Sequence, residues 1–281
     1  MKPGVHYDIP ARDYHDLHAC NSTTLKTAYD RSLAHAQVDI QTPSKQTGKI
    51  GHALILEPEK EILVTPNFDL RSKAQKPMIR KWVEDNLGIE LETVSRKTVD
   101  NAFRQATAVF ADQDTLDVAQ RMRDSVAAHP DAKWLLFSED GKSEVTVIGE
   151  LDGVTTKVRL DRVGSYGFCD LKTTKNASAR KFGWDAASYK YPLQMAWYHD
   201  RGGEYLPHIK LDYCFIVAVE NTPPYACNVF HVGPSELELG RAQYTAAFER
   251  YKVAWESDEW PSYDQIITPL ALPGWAYKES V

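Results

Sequence analysis

SEVTVIGELDGVTTKVRLDRVGSYGFCDLKTT, residues 143–174, is the stretch on which the fold turns. Glu144 to Ile148, Val154 to Val163 and Phe168 to Thr173 are rich in β-branched and aromatic residues, as strands are. Asp152-Gly153, between the first two runs, is a hairpin turn pair, because both central residues of a type I′ turn need positive φ. Gly164-Ser165-Tyr166-Gly167 joins the second run to the third. The stretch therefore predicts two consecutive hairpins inside a sheet. Asp152 reads as a turn residue, and Glu150 is left open between a strand face and a ligand.

Side chains two apart on a strand share a face. Asp170 and Lys172 then point one way and Leu171 the other. A hairpin at 164–167 brings Asp161 beside them, so two carboxylates and an ammonium converge on one small volume. Two carboxylates can hold Mg²⁺, which takes oxygen ligands and keeps several waters. A neighbouring lysine can orient or deprotonate a water and offset charge building on a phosphate. The plainer alternative is an Asp-x-Lys on the wet face of a surface hairpin, since charged side chains mostly face water. Phe168, Cys169 and Leu171 around the pair argue instead for a buried strand.

The 281 residues, 43% hydrophobic with a net charge of −6, are ordinary for a globular protein with a substantial core. No run of about 18 apolar residues occurs, so no transmembrane helix is expected. The N-terminus lacks an apolar signal-peptide segment, and the expected location is the cytoplasm. The acidic balance does not advertise a nucleic-acid binder, whose footprint is a basic patch, although an acidic exterior is compatible with a basic cleft. Cys20, Cys169, Cys214 and Cys227 form no Cys-x-x-Cys pair and fit no common zinc or iron–sulfur spacing; free thiols are expected.

Residues 1–20 read as irregular. Asn21 or Ser22 caps a helix running to about Val38, and Pro43 and Ser44 break the chain. QTGKIGHALILEP, residues 46–58, predicts a short apolar helix ended by Pro58, with His52 as the polar side chain at its centre. A lone histidine there is either a satisfied core residue or a metal ligand. Ile62-Leu63-Val64 is a short strand. Arg71, Lys73, Lys76, Arg80 and Lys81 follow with no acid between them, either a solvated helix start or a phosphate-contacting arm. Residues 93–128 read as one long helical region. After Thr174, a helix is expected from about Asp185 to Arg201, ended by Gly202-Gly203. Tyr191, Gln194 and Tyr198 share one of its faces. Gln194, half-buried, needs a partner: backbone, a catalytic carboxylate or nucleic acid. Leu211 to Val219 and Cys227 to Val232 are strands around a turn at 221–225. A helix from Pro234 runs to about Glu256. The expectation is one domain, 1–281: a central mixed sheet flanked by helices, with a helical elaboration over about 1–130 and a strap over about 258–281.

The order of GKIGHALILEPE, VRLDRV, CDLKTT, YKYPLQMAWY and DEWPSYDQI…LALPGWA resembles the PD-(D/E)XK nuclease superfamily, and more narrowly the RecE-type exonuclease domain (exodeoxyribonuclease VIII) of phages and prophages. The resemblance implies a restriction-endonuclease-like α/β core. It implies that His52, Asp161 and Asp170, with the carbonyl of Leu171, bind Mg²⁺, with Mn²⁺ as a substitute. Lys172 would position or activate the attacking water, and Gln194 and Tyr198 would brace the site and touch the DNA strand. On this reading the basic run, apart from the resemblance, supplies Arg71, Lys73 and Lys76 as phosphate contacts. Such enzymes degrade linear double-stranded DNA from its 5′ ends without ATP and leave 3′ overhangs for a single-strand annealing protein, as ring-shaped homotetramers in a bacterial or phage-infected cell. Leu160 stands where the motif's name has proline. No iron–sulfur cluster is implied by this cysteine spacing, and no P-loop is present. Glu144 matches an extra acidic residue of some relatives. A structure-specific endonuclease and a catalytically silent DNA-binding scaffold are the alternatives.

Overall fold

A computed structural model of the chain describes residues 1–38, 44–106, 108–207, 209, 213–263, 266–272 and 274. The N-terminal segment holds an edge strand β1 (Gly4–His6) and a short helix α1 (Ala11–Asp16), where the sequence reads as irregular. Helix α2 (Ser22–Asp30) is capped as expected, with the Asn21 side chain accepting from the Thr23 and Thr24 amides. Such a cap is worth about 1 kcal/mol. The helix stops well short of Val38, because Arg31 leaves helical geometry and Ser32 caps a separate turn, α3 (Leu33–Ala36), by accepting from the His35 amide. Of the expected break at Pro43 and Ser44, Pro43 lies outside the described residues and Ser44 instead begins a helix.

Helix α4 (Ser44–Leu56) is followed by β2 (Ile62–Val64), α5 (Lys76–Leu87) and α6 (Arg96–Gln105). The single helical region expected over 93–128 is interrupted. Val109–Ala111 forms a strand, β3, paired in parallel with β2, and Asp112 caps a new helix, α7 (Gln113–Ala128), on the Thr115 amide. The apolar stripe there is shared between a strand and a helix. The chain continues through α8 (Pro130–Phe137), β4 (Lys142–Leu151), β5 (Val154–Gly164) and β6 (Gly167–Thr174), both turns falling where the sequence places them. Asp152 and Gly153 have φ of 49° and 79°, as a type I′ turn requires.

The helix expected from Asp185 to Arg201 is two helices, α9 (Ala179–Ser188) and α10 (Tyr191–Tyr205). Pro192 has no N–H to continue a helix but suits a first turn, and Lys190 before it takes a left-handed φ of 54°. Gly202-Gly203 does not end α10. Gly202 is buried inside it, and Tyr205 at its end lies against Gly149, where a Cβ would come within 2.9 Å of the ring. Strands β7 (Cys214–Glu220) and β8 (Cys227–Val232) and helix α11 (Pro234–Ser257) complete the core. Leu211, the expected start of β7, is outside the described residues, as are Pro273 and Trp275 of the expected strap. Of that strap, Trp260 packs on Tyr251 and the Pro261 carbonyl accepts from the Ala34 amide.

The six-stranded mixed sheet has the order β1-β4-β5-β6-β7-β8. It is antiparallel except for β6 and β7, which run parallel through the α9–α10 crossover. One face, with Val145, Val158, Leu160, Phe168 and Ile216, packs on α2, α10 and α11. The other, with Cys169, Leu171, Val217 and Val219, packs on α4, α7 and α8. Helices α10 and α11 pack so closely that a Cβ on Gly240 would lie 2.0 Å from the Pro192 carbonyl oxygen. A separate cluster, Ile79, Val83, Leu91, Val94, Val99 and Ala102, holds α5 and α6 together.

Candidate active site

The site lies where β5 parts from β6. Their ladder runs from Gly164–Gly167 to Arg162–Cys169 and stops. One step further, Asp161 and Asp170 are the next residues in register. From Phe168 on, β6 is paired on its other side with β7. The N–H and C=O of one strand residue point to the same side, and those of Leu171 point into the gap that β5 has left. Buried backbone groups need partners. The Leu171 N–H donates to Asp161 Oδ2 at 2.8 Å, and His52 Nε2 from α4 lies 2.8 Å from the Leu171 carbonyl oxygen. With Nε2–H donating, the His52 Nδ1 lone pair is left facing Asp161 Oδ2 at 3.8 Å. Side chains thus do at Leu171 what a neighbouring strand would otherwise do.

Asp170, 1% exposed, is held from the opposite face. Gln194 Nε2 donates to its Oδ1 at 2.8 Å. Oδ2 meets the Lys172 ammonium and finds no further hydrogen-bond partner among the described residues. Asp170 and Lys172 are therefore paired within the fold, as their alternation predicts. Of the partners open to Gln194, the carboxylate is the one observed. Its Oε1 also accepts from Lys26 Nζ at 2.9 Å. Tyr198, one turn on, is buried.

Glu144 completes the constellation. It stands between the pairs Ser143–Arg162 and Val145–Leu160, which places it opposite Asp161, and its φ of 52° turns it out of regular strand geometry. A ligand atom from each of His52, Glu144 and Asp161 lies within 4.8 Å of the others. Glu144, Asp161 and Asp170 thus occupy matching positions on three adjacent strands. Burial, reinforced by the Asp170 charge, pushes the Asp161 pKa up. Burial and the Asp161 charge push Glu144 up to about 7, even though Arg159 lies 3.7 Å away. Burial would depress Lys172, but the Asp170 and Asp161 carboxylates outweigh it and hold its pKa above the ordinary lysine value. The set is oxygen-rich, which suits a hard divalent cation.

The basic run lies apart. Arg71 and Lys73 are exposed before α5, and Lys76 begins it. Asp69 accepts from the Arg71 amide, and Lys81 pairs with Asp85. An open hollow of about 330 Å³ on this helix is lined by Lys76, Pro77, Arg80, Lys81 and Glu84. No hydrogen bond or ion pair joins Arg71, Lys73 or Lys76 to the Asp161–Asp170 cluster among the described residues. Glu150 is exposed on β4, outside the cluster. The four cysteines are free, three of them buried. No helix among the described residues is long and apolar enough to cross a membrane. Lys26 is the member of the site that the sequence does not announce: it is one lysine on an amphipathic helix 168 residues from its partner.

Residues 31–267 match the family model described as a PDDEXK-like domain of unknown function (DUF3799). Among solved structures, the chain is similar to the crystal structure of a candidate exonuclease from Eubacterium rectale, with a TM-score of 0.57 at 10% identity. That match covers 98% of this chain and 100% of the other, and it shows a shared fold. A second solved structure, that of SSO0001, matches over 72% of this chain and 85% of its own at 11% identity, with a TM-score of 0.30. No curated protein matches the chain.

Proposed function

The chain belongs to the PDDEXK-like family DUF3799, and from that premise we propose that it is a divalent-metal-dependent phosphodiester hydrolase acting on DNA. More narrowly, we propose an ATP-independent 5′-to-3′ exodeoxyribonuclease on linear double-stranded DNA. The observation that carries the reading is the strand gap at Leu171, where Asp161 and His52 take the backbone groups that no strand covers, beside the Asp170–Lys172 ion pair. The fold shared with a candidate exonuclease supports it.

His52, Glu144, Asp161, Asp170 and the Leu171 carbonyl are the groups that would hold Mg²⁺ or Mn²⁺. When bound, the cation supplies Lewis acidity and charge neutralisation at the scissile phosphate. Lys172, fixed by Asp170, directs its ammonium at the reacting phosphate and steers the attacking water. Gln194 holds the Asp170 carboxylate in place, and Tyr198 secures α10 behind it. Arg71, Lys73 and Lys76 track the DNA backbone outside the site. The fuller reading is a single domain over 1–281 that assembles as a ring-shaped homotetramer in the cytoplasm and leaves 3′ overhangs for a single-strand annealing protein.

The test is incubation of the full chain with Mg²⁺ and no ATP, on linear duplex DNA labelled at one 5′ end, beside the same DNA as a closed circle. Loss of the linear form from its 5′ ends with the circle spared is the expected result. Cutting of both makes the protein an endonuclease. Binding without cutting makes it a silent scaffold.

A further inference from the structure

We infer that Lys26 is a positioning residue of this site, acting on the Asp170 carboxylate through the Gln194 side chain. The inference rests on the nuclease reading and adds a residue to it. Lys26 Nζ donates to Gln194 Oε1 at 2.9 Å, and Gln194 Nε2 donates to Asp170 Oδ1 at 2.8 Å. Asp170 Oδ2 meets the Lys172 ammonium. The four side chains form one line from α2 through α10 to β6, with an ammonium at each end.

An amide has one accepting and one donating end. An ammonium can only donate and a carboxylate can only accept, so Lys26 and Asp170 together admit a single orientation of Gln194. Pulling on Oε1 also polarises the amide and strengthens the bond from Nε2, as linked hydrogen bonds do. Lys26 has no carboxylate within salt-bridge distance among the described residues, and the Gln194 oxygen is its acceptor. The Tyr191 ring lies beneath both ends of the line, 5.8 Å from Lys26 Nζ and 5.2 Å from Lys172 Nζ, which fixes their approach. Burial and the Lys172 charge bring the Lys26 pKa down to about 7. Lys26 is partly buried there, and the Gln194 oxygen is the acceptor that holds its charged end.

The experiment is a double-mutant cycle in the full chain, Lys26→Met with Gln194→Leu, read as initial hydrolysis rate on the linear duplex in Mg²⁺. Circular dichroism and thermal midpoint establish that each variant is folded. Misplacing a group that holds a reacting centre costs roughly ten- to a hundredfold in rate. Lys26→Met is expected to lose about that factor in kcat with KM little changed, and to cause no further loss in the Gln194→Leu background. Lys26→Arg, which keeps the donor and the charge, is the second variant and should retain most of the rate, also if Lys26→Met fails to fold. Equal losses in both backgrounds would overturn the inference, since Lys26 would then touch substrate by itself. Unchanged kcat in Lys26→Met, or an inactive but folded Lys26→Arg, would overturn it as well. A wild-type chain inert on every DNA form would instead overturn the nuclease reading, and with it any role for Lys26.

Discussion

The two hairpins of the central sheet begin alike and end differently. Between β4 and β5 the ladder runs from Leu151–Val154 to Lys142–Val163, with Glu144 standing out of line. Between β5 and β6 it covers only Gly164–Gly167 to Arg162–Cys169. In the first hairpin, backbone satisfies backbone. In the second, the strands part, and Asp161 and His52 take the N–H and C=O of Leu171. A polar cluster can therefore sit in the middle of a sheet without leaving buried backbone groups unpaired. What fills the gap is also what can exchange one of its hydrogen bonds for a cation.

That contrast can be attacked at both hairpins. The largest effect is expected at Lys172, whose replacement by methionine should lower the hydrolysis rate on the order of 10³-fold with the fold intact. Asp170→Asn should do the same. Rate assays beside circular dichroism check both, and a full-rate Lys172→Met enzyme would remove the catalytic reading of the gap. Next is His52→Leu, which orphans the Leu171 carbonyl and should cost about 2 kcal/mol in urea unfolding without metal. Glu150→Ala, exposed on the intact ladder, should stay within about 0.5 kcal/mol. Equal costs at the two positions would erase the distinction between the hairpins.

Glu144 sharpens the comparison through pH. Its folded pKa is raised from 4.5 to about 7. The stability it contributes is therefore fully present below about pH 4.5 and is lost as pH rises through about 7. Metal-free Glu144→Gln should then be more stable than wild type at pH 8, by on the order of 2 kcal/mol. The two should converge near pH 4. Thermal melts in chelator across that range read the difference, and a constant gap would mean that Glu144 is not crowded by its neighbours. A smaller effect than that of Glu144 belongs to the regular hairpin's own turn. Gly153→Ala places a side chain at φ 79° and should cost about 1 kcal/mol while leaving the hydrolysis rate unchanged.

What the sequence makes legible is what is local. Asp161, Asp170 and Lys172 belong to one hairpin, whose turn glycines and strand alternation fix their placement. His52 is visible as the polar residue of an apolar helix. The rest depends on partners far along the chain. Val109 and Phe110 pass for helix because the strand that recruits them is Ile62–Val64. The helix expected over 185–201 is divided at Lys190, whose φ of 54° turns the chain before Pro192 opens α10. Gln194 takes its meaning from Asp170 on one side and Lys26 on the other, neither adjacent to it in sequence. Glu144 faces Asp161 only once the β4–β5 register is set, and nothing in its own neighbourhood marks it out.

The most direct measurement is an anomalous difference map from crystals of the full chain soaked in Mn²⁺. A peak in the gap between β5 and β6, ligated by Asp161 with His52 or Asp170 and by the Leu171 carbonyl, is the predicted result. An empty gap at saturating Mn²⁺, with the His52–Leu171 and Asp161–Leu171 hydrogen bonds unchanged, would contradict it.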